Sequence, residues 1–388
     1  MSNTFGFVSE ETYIDKMDAQ NTFLAALVEA QGGSVKPTSW SQVQALVRAG
    51  IASKVFAIGD QLEMQKDGTT LVWDIIGFDH DTPTDSHMTH SMTIQLHDCI
   101  NSYQFDEKEA FYYADAELPA GTYNLTVGEH TWVSSDVGKT VQFTLANAVP
   151  KGGQIKFNQS YNVSLIGATV STYASGSATT AIETATMTQG TSGTSLGTIK
   201  NSINGNLNSM QRALLGSNNW ENSAMRQYLN SDKSAGAFWT PKSNWDRYPS
   251  WNASLAGFMN GMDEDFLAVV GKAEKVTALN TVSDGGGSVT TTETFFLISR
   301  SEVYMGKENS IDEGDPYAYY EDFSTLSAPG TGADANRIKY RNGSAQYWWL
   351  RTLYTGSANR ERSVSTDGSL NDYNAVSSHG VAPACNII

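Results

Sequence analysis

The run YWWLRTLYTG, residues 347–356, precedes SANRERSVSTDGSLNDYNAVSSHGV, residues 357–381, so the densest aromatic cluster of the chain abuts one of its most polar stretches. Successive residues of a strand point to opposite faces, so Trp348 and Trp349 reach both sides of a sheet and at least one must be buried. Arg351 reads as the partner of a carboxylate at the core edge, Asp263 or Asp265. Tyr347, Tyr354, Tyr373 and Arg360 sit instead among small polar residues. Tyr with Ser, Asn, Gly and an occasional Arg is the composition of an adaptable binding loop, because Tyr brings contact area at low entropic cost.

Upstream, residues 9–31 have helical periodicity, with Ile14, Met17, Leu24 and Val28 in an a/d pattern and Asn21 between them. That spacing suits either an oligomerising stem or a helix laid on its own domain. A second helix is expected over 39–49, with Trp40, Val43, Leu46 and Val47 on one side and Gly50 as its stop. Strands are expected at 55–58, 60–65, 70–78 and 91–98, with Asp67-Gly68 as a hairpin turn. From 117 to 170 short alternating strands are separated by turn residues, which reads as a small β-sandwich. Over 171–198, 18 of 28 residues are Ser, Thr or Gly, a composition shared by a polar linker and an extended arm. The last part, 199–388, starts with two helical patterns, the second capped by Asn218 or Asn219. Helical turns at 253–261 and 264–269 follow, then strands at 294–299, 346–351, 361–365 and 380–387.

The 388 residues carry a formal charge of −16, which opposes attraction to a nucleic-acid backbone. Apolar residues make up 40% of the chain, enough for substantial cores. No apolar run has the roughly 18 residues of a membrane span, and the start lacks a basic-then-apolar secretory leader. Cys99 and Cys385 are too few for a disulfide scaffold and read as buried small side chains.

Catalytic and metal patterns are sparse. His80, His87, His90 and His97, with Asp98 and Cys99, match no zinc spacing, and Glu308, Asp312 and Asp315 lack a calcium loop. There is no nucleophile elbow and no phosphate-binding glycine loop. The many carboxylates leave a glycosidase pair about 5–9 Å apart open, although sequence cannot name it.

IASKVFAIGDQLEM, ENSAMRQYLNSD, GFMNGMDEDFLAVV, FFLISRSEVY and the closing segment from Tyr347 to GVAPACNI resemble the DUF6273 family of bacterial and phage proteins, over about 51–115 and 199–388. The closing segment is similar to the C-type-lectin-like fold of formylglycine-generating enzyme relatives and of retroelement variable proteins. The resemblance implies an α+β, C-type-lectin-like host domain in two parts, 51–116 and 199–388, with an inserted β-sandwich at 117–170, an arm or linker at 171–198, and a helical oligomerisation or attachment region at 1–50. It makes residues 348–351 a core strand, Asp367-Gly368 a turn, and Gly380, Val381 and Pro383 part of the closing strand. The recognition surface would comprise Tyr347, Tyr354, Asn359, Arg360, Arg362, Asn371, Asp372, Tyr373, Asn374, Ser378 and His379, with Thr355, Ser357 and Ser377 beside them. The paired cysteines of the formylglycine-generating enzymes and the calcium-lectin sugar motifs are absent.

The expectation is therefore a non-enzymatic virion protein, a head fibre, decoration or tail-associated component made in the host cytoplasm. It would need no cofactor or metal and would form a homo-oligomer such as a trimer with other virion proteins. It would bind a host-surface carbohydrate or protein, with neither nucleic acid nor membrane insertion. A purely architectural decoration protein and a glycan-cleaving enzyme are the alternatives.

Overall fold

The computed structural model describes residues 37–107, 112–113, 119–130, 140–145, 148, 154–157, 163–165, 169–173, 182–189, 194–200, 212, 215–242, 246 and 248–388. The expected helix over 9–31 lies outside them, as does most of the first helical pattern after 199.

Helix α1 (Trp40–Arg48) forms where its periodicity places it. The Ser39 hydroxyl accepts from Gln42 N, and Val43, Leu46 and Val47 are buried. Such a cap satisfies an amide that the helix cannot. Strands β1 (Gln61–Lys66) and β2 (Thr69–Phe78) are joined by Asp67 and Gly68, at φ +48° and +74°, as a two-residue turn with both residues left-handed requires. The expected strand at 55–58 is instead the end of a short helix, α2 (Ala52–Val55), and a loop. Its apolar alternation is too short to choose between the two.

Two sheets share the scaffold. The first runs β1-β2-β3 (Met92–Leu96)-β23 (Ala384–Ile387)-β13 (Val270–Gly271), with β16 (Phe295–Phe296) also on β23. The second runs β21 (Leu370–Asn374)-β20 (Arg360–Val364)-β19 (Trp348–Leu353)-β22 (Ser378–Gly380)-β4 (Ser102–Gln104). Each draws strands from before residue 105 and after residue 269. The first hydrogen-bonds β23 to β3, with Cys385 opposite Ile94, and the second pairs β22 with β4, with His379 opposite Tyr103.

The molecule is mixed α/β, rich in sheet, with few and short helices, among them α3 (Ala224–Leu229), α4 (Glu264–Leu267) and α5 (Ala318–Asp322). Ser223, not Asn218 or Asn219, caps α3. Instead of a helical turn over 253–261, a 3₁₀ turn occupies Ser250–Ser254. Between the two halves, β6 (Gly121–His130), β7 (Thr140–Leu145), β10 (Thr169–Tyr173), β11 (Ile182–Gln189) and β12 (Thr194–Lys200) make a sheet ordered β10-β7-β6-β11-β12. That sheet extends past residue 170 into the Ser/Thr/Gly-rich stretch, whose strand β11 pairs with β6.

The core is aromatic. Trp73 packs on Phe266 and Phe295, with ring centroids 5.5 and 6.2 Å apart, and Phe105 on Trp349 at 5.9 Å. Both tryptophans of β19 are fully buried, since the second sheet is covered on both faces. Two expected strands are shorter than their apolar runs. Only Phe295 and Phe296 of 294–299 join a ladder, and 380–387 divides into β22 and β23 around Pro383, which offers no ladder donor.

Candidate functional site

Strand β19 is the base of the expected recognition surface, and every one of its side chains is buried. Trp348 Nε1 donates to Arg337 O and Trp349 Nε1 to Tyr103 O, both at 2.9 Å. Arg351 is paired with Glu302 rather than with Asp263 or Asp265: Nη2 reaches Glu302 Oε1 at 3.0 Å, and Nη1 donates to Leu297 O at 3.0 Å. Asp263 instead accepts from Gln65 N. The planar guanidinium meets both Glu302 oxygens and the Leu297 and Glu313 carbonyls together, more acceptors than the three donors of a lysine could serve.

The hairpin β20–β21 turns at Asp367-Gly368, where Gly368 has φ +80° and a Cβ would strike Asp334 O. Alternation along its strands divides the expected surface in two. Arg360, Arg362, Asp372 and Asn374 share one side, Arg362 standing opposite Asp372 and Arg360 opposite Asn374, while Tyr373 and Asn371 take the other.

On the first side the charges are matched among themselves. Arg360 Nη1 lies 2.9 Å from Asp372 Oδ2, Arg362 Nη1 lies 3.3 Å from Asp372 Oδ1, and Arg362 Nε donates to Glu308 Oε2 at 2.9 Å. The Arg362 guanidinium also lies 4.5 Å from the centre of the exposed Tyr354 ring. On the second side Tyr347 and Tyr373 meet edge to face at 5.4 Å. His379 lies 4.4 Å from Tyr373 and 4.3 Å from Trp349.

Several expected contact residues are interior. Thr355, Ser357, Asn359 and His379 are all buried, so they support the surface instead of forming it. Asn359 Nδ2 donates to Asn374 Oδ1 at 2.8 Å. The loop they occupy is held by Asn218, whose Nδ2 donates to Ser357 O and Arg360 O at 2.8 and 2.9 Å. A polar loop composition did not separate these inward residues from Tyr354, Arg360 and Ser378, which are exposed. Tyr347, Arg362, Asn371, Asp372, Tyr373 and Asn374 are half-buried, and Asn371 Oδ1 accepts from Asp372 N at 2.8 Å.

A second polar centre was not foreseen. A cavity of about 670 Å³ is lined by residues 79–83, 274–276, 313–315, Thr290 and Glu302. Below it Lys275 Nζ donates to Asp81 Oδ1, Tyr317 Oη and Glu302 Oε1 at 2.5, 2.8 and 3.2 Å. Burial opposes ionisation of Asp81, yet the Lys275 ammonium and the His80 hydrogen bond hold its carboxyl well below the usual range. His80, stacked on Tyr317 at 3.9 Å, is raised above its ordinary value because Asp81 outweighs the burial penalty. Glu313 is pushed up to about 7 by burial, against the pull of Arg351 and Thr352. The histidines of residues 80–97, which match no zinc spacing in sequence, are dispersed, His90 to Asp79 and His97 to Asp74. Among the described residues no three His, Cys, Asp or Glu side chains are grouped to hold a metal ion. Cys99 and Cys385 are free and buried.

Residues 192–388, just over half the chain, match the family described as a domain of unknown function, DUF6273. The chain belongs to the DUF6273 family. The match takes in every described strand from Val270 to Ile387, including the β20–β21 hairpin and the Trp348–Trp349 strand, but not 51–115, where the sequence resemblance had also been expected. The DUF6273 segment is thus completed in three dimensions by β1–β4, which lie outside it. No curated protein and no solved structure matches the chain.

Proposed function

We propose that this DUF6273 protein is a phage virion component, a head fibre, decoration or tail-associated protein, whose C-type-lectin-like domain binds a host-surface receptor without chemistry. The supporting observation is the contrast between β19, buried along its whole length, and the hairpin beside it, which carries exposed Arg360 and half-buried Tyr373 at a sheet edge. A rigid strand that holds Tyr and Arg at a surface is suited to contact at low entropic cost. Homo-oligomers repeated over a particle would compensate for modest affinity at each copy. The inner carboxylates of the cavity weigh against hydrolysis, because Asp81 and Glu302 are tied to Lys275 and both Glu313 oxygens accept from Thr352 Oγ1 and Ala278 N.

The test is attachment of labelled protein to a panel of bacterial isolates. Tyr373→Ala with Arg360→Ala should abolish binding to any isolate that the parent labels, with the melting profile retained. Undiminished labelling by the folded double variant would remove the assignment of this surface.

A further inference from the structure

We propose that Tyr347 and Tyr373, backed by His379, form a corner that receives a neutral hexopyranose ring. The inference rests on the reading of this surface as a recognition surface and names the ligand class for one of its two sides.

The geometry of the rings carries it. Tyr347 and Tyr373 stand at 77° to one another, and His379 stands at 80° to Tyr347 with its centre 5.5 Å away. Near-perpendicular rings make two walls. A pyranose has an apolar C–H face and a rim of hydroxyls, so one wall can stack on the C–H face while the polar tips of the other meet the rim. Aromatic faces are electronegative and attract the weakly positive C–H bonds. Both tyrosines are half-buried, so each ring is held in place and still presents area.

The third ring adds a polar group with nothing to bind in the protein. His379 is only 6% exposed, and its Nδ1 has no hydrogen-bond partner. Buried polar atoms are nearly always paired, which makes an unpaired one beside a surface corner a pointer to a ligand. Burial also lowers its pKa to about 4, so the imidazole is neutral at ordinary pH.

Charge selects among sugars. The two guanidiniums of this hairpin are engaged by Asp372 and Glu308 on its other side. The chain as a whole carries −16. A sialylated or sulfated glycan would therefore find both of the hairpin's guanidiniums already engaged and would be repelled at longer range by the net charge. A neutral hexose meets neither obstacle.

The experiment uses the full chain and saturation-transfer NMR with a panel of neutral methyl hexopyranosides, plus sialyllactose and glycerol. At least one neutral hexoside should receive saturation, strongest at the protons of one ring face, whereas glycerol should receive none. Tyr373→Ala should weaken that binding about tenfold, and Tyr373→Phe, which keeps the stacking area, should largely preserve it. Absence of transfer to every neutral hexoside, or preferential binding of sialyllactose, would overturn the proposal. The cell assay separates it from the broader reading: attachment lost in the Tyr373/Arg360 double variant but insensitive to excess hexoside leaves receptor binding standing and removes the sugar. Hexoside binding that is lost in Tyr373→Ala, alongside attachment that survives the double variant, does the reverse.

Discussion

At the scale of single residues, the buried charges decide how this fold answers to pH. Glu313 has its carboxyl raised from 4.5 to about 7, so the stability that its protonated form contributes is complete below 4.5 and is lost as pH rises through about 7. His80 has the same sign, being raised from 6.5, and adds to the loss on the neutral side. Asp81 has the opposite sign: depressed from 3.8, it contributes stability above that value and loses it as pH falls. Glu313 therefore contributes a decline in urea resistance between pH 4.5 and 7, which His379, lowered from 6.5 to about 4 and so opposite in sign, offsets in the whole protein. Glu313→Gln should flatten that decline, as read from urea midpoints across the range; parallel profiles for parent and variant would refute the assignment. None of this was visible in sequence. Lys275 and Asp81 meet at 2.5 Å from positions 194 residues apart, and no local pattern reports so distant a pairing.

At the scale of elements, turn chemistry was legible and the lengths of buried strands were not. Asp67-Gly68 forms the hairpin that its residue types demand, Asp367-Gly368 forms the turn that the resemblance implied, and α1 ends before Gly50, the stop read from sequence. The run 294–299 reads as a long strand because it is apolar. Its last residues are buried without a ladder, and Leu297 O and Ile298 O accept from Arg351 Nη1 and N instead. Apolar periodicity reports burial and says little about which partner takes the backbone. The recognition residues show the same limit. Composition identified the hairpin and its neighbouring loop, yet only the pairing register reveals that Arg360 and Tyr373 sit on opposite sides of it. Strand β22 offers a direct check on packing. A Cβ on Gly380 would lie 2.5 Å from Cys99 Sγ and 3.0 Å from Tyr347 O, so Gly380→Ala should cost about 1–3 kcal/mol in chemical denaturation. Adding Cys99→Ala should return part of that loss; a cost unchanged by the second substitution would show that the thiol contact is not its source.

At the scale of the whole molecule, the family match and the folding unit do not coincide. The segment 192–388 contains β23 and β22, whose neighbours β3 and β4 come from residues 92–104. A protein made only of 192–388 should accordingly fail to give a dispersed amide NMR spectrum, and co-expression with 37–107 should restore one. A cooperatively folded isolated segment would show that β1–β4 are dispensable. The order of synthesis follows from the same pairing. Strand β23 bridges β3 to β13 and β16, yet it leaves the ribosome after all of them. Until then the nascent polypeptide holds β1–β3 with the edge of β3 open and leaves β13 and β16 without a ladder partner, exposed strand edges that invite wrong pairing between neighbouring chains. Premature termination a few codons upstream of residue 384 would keep those edges open for good, yielding aggregates instead of a slightly shortened, working protein.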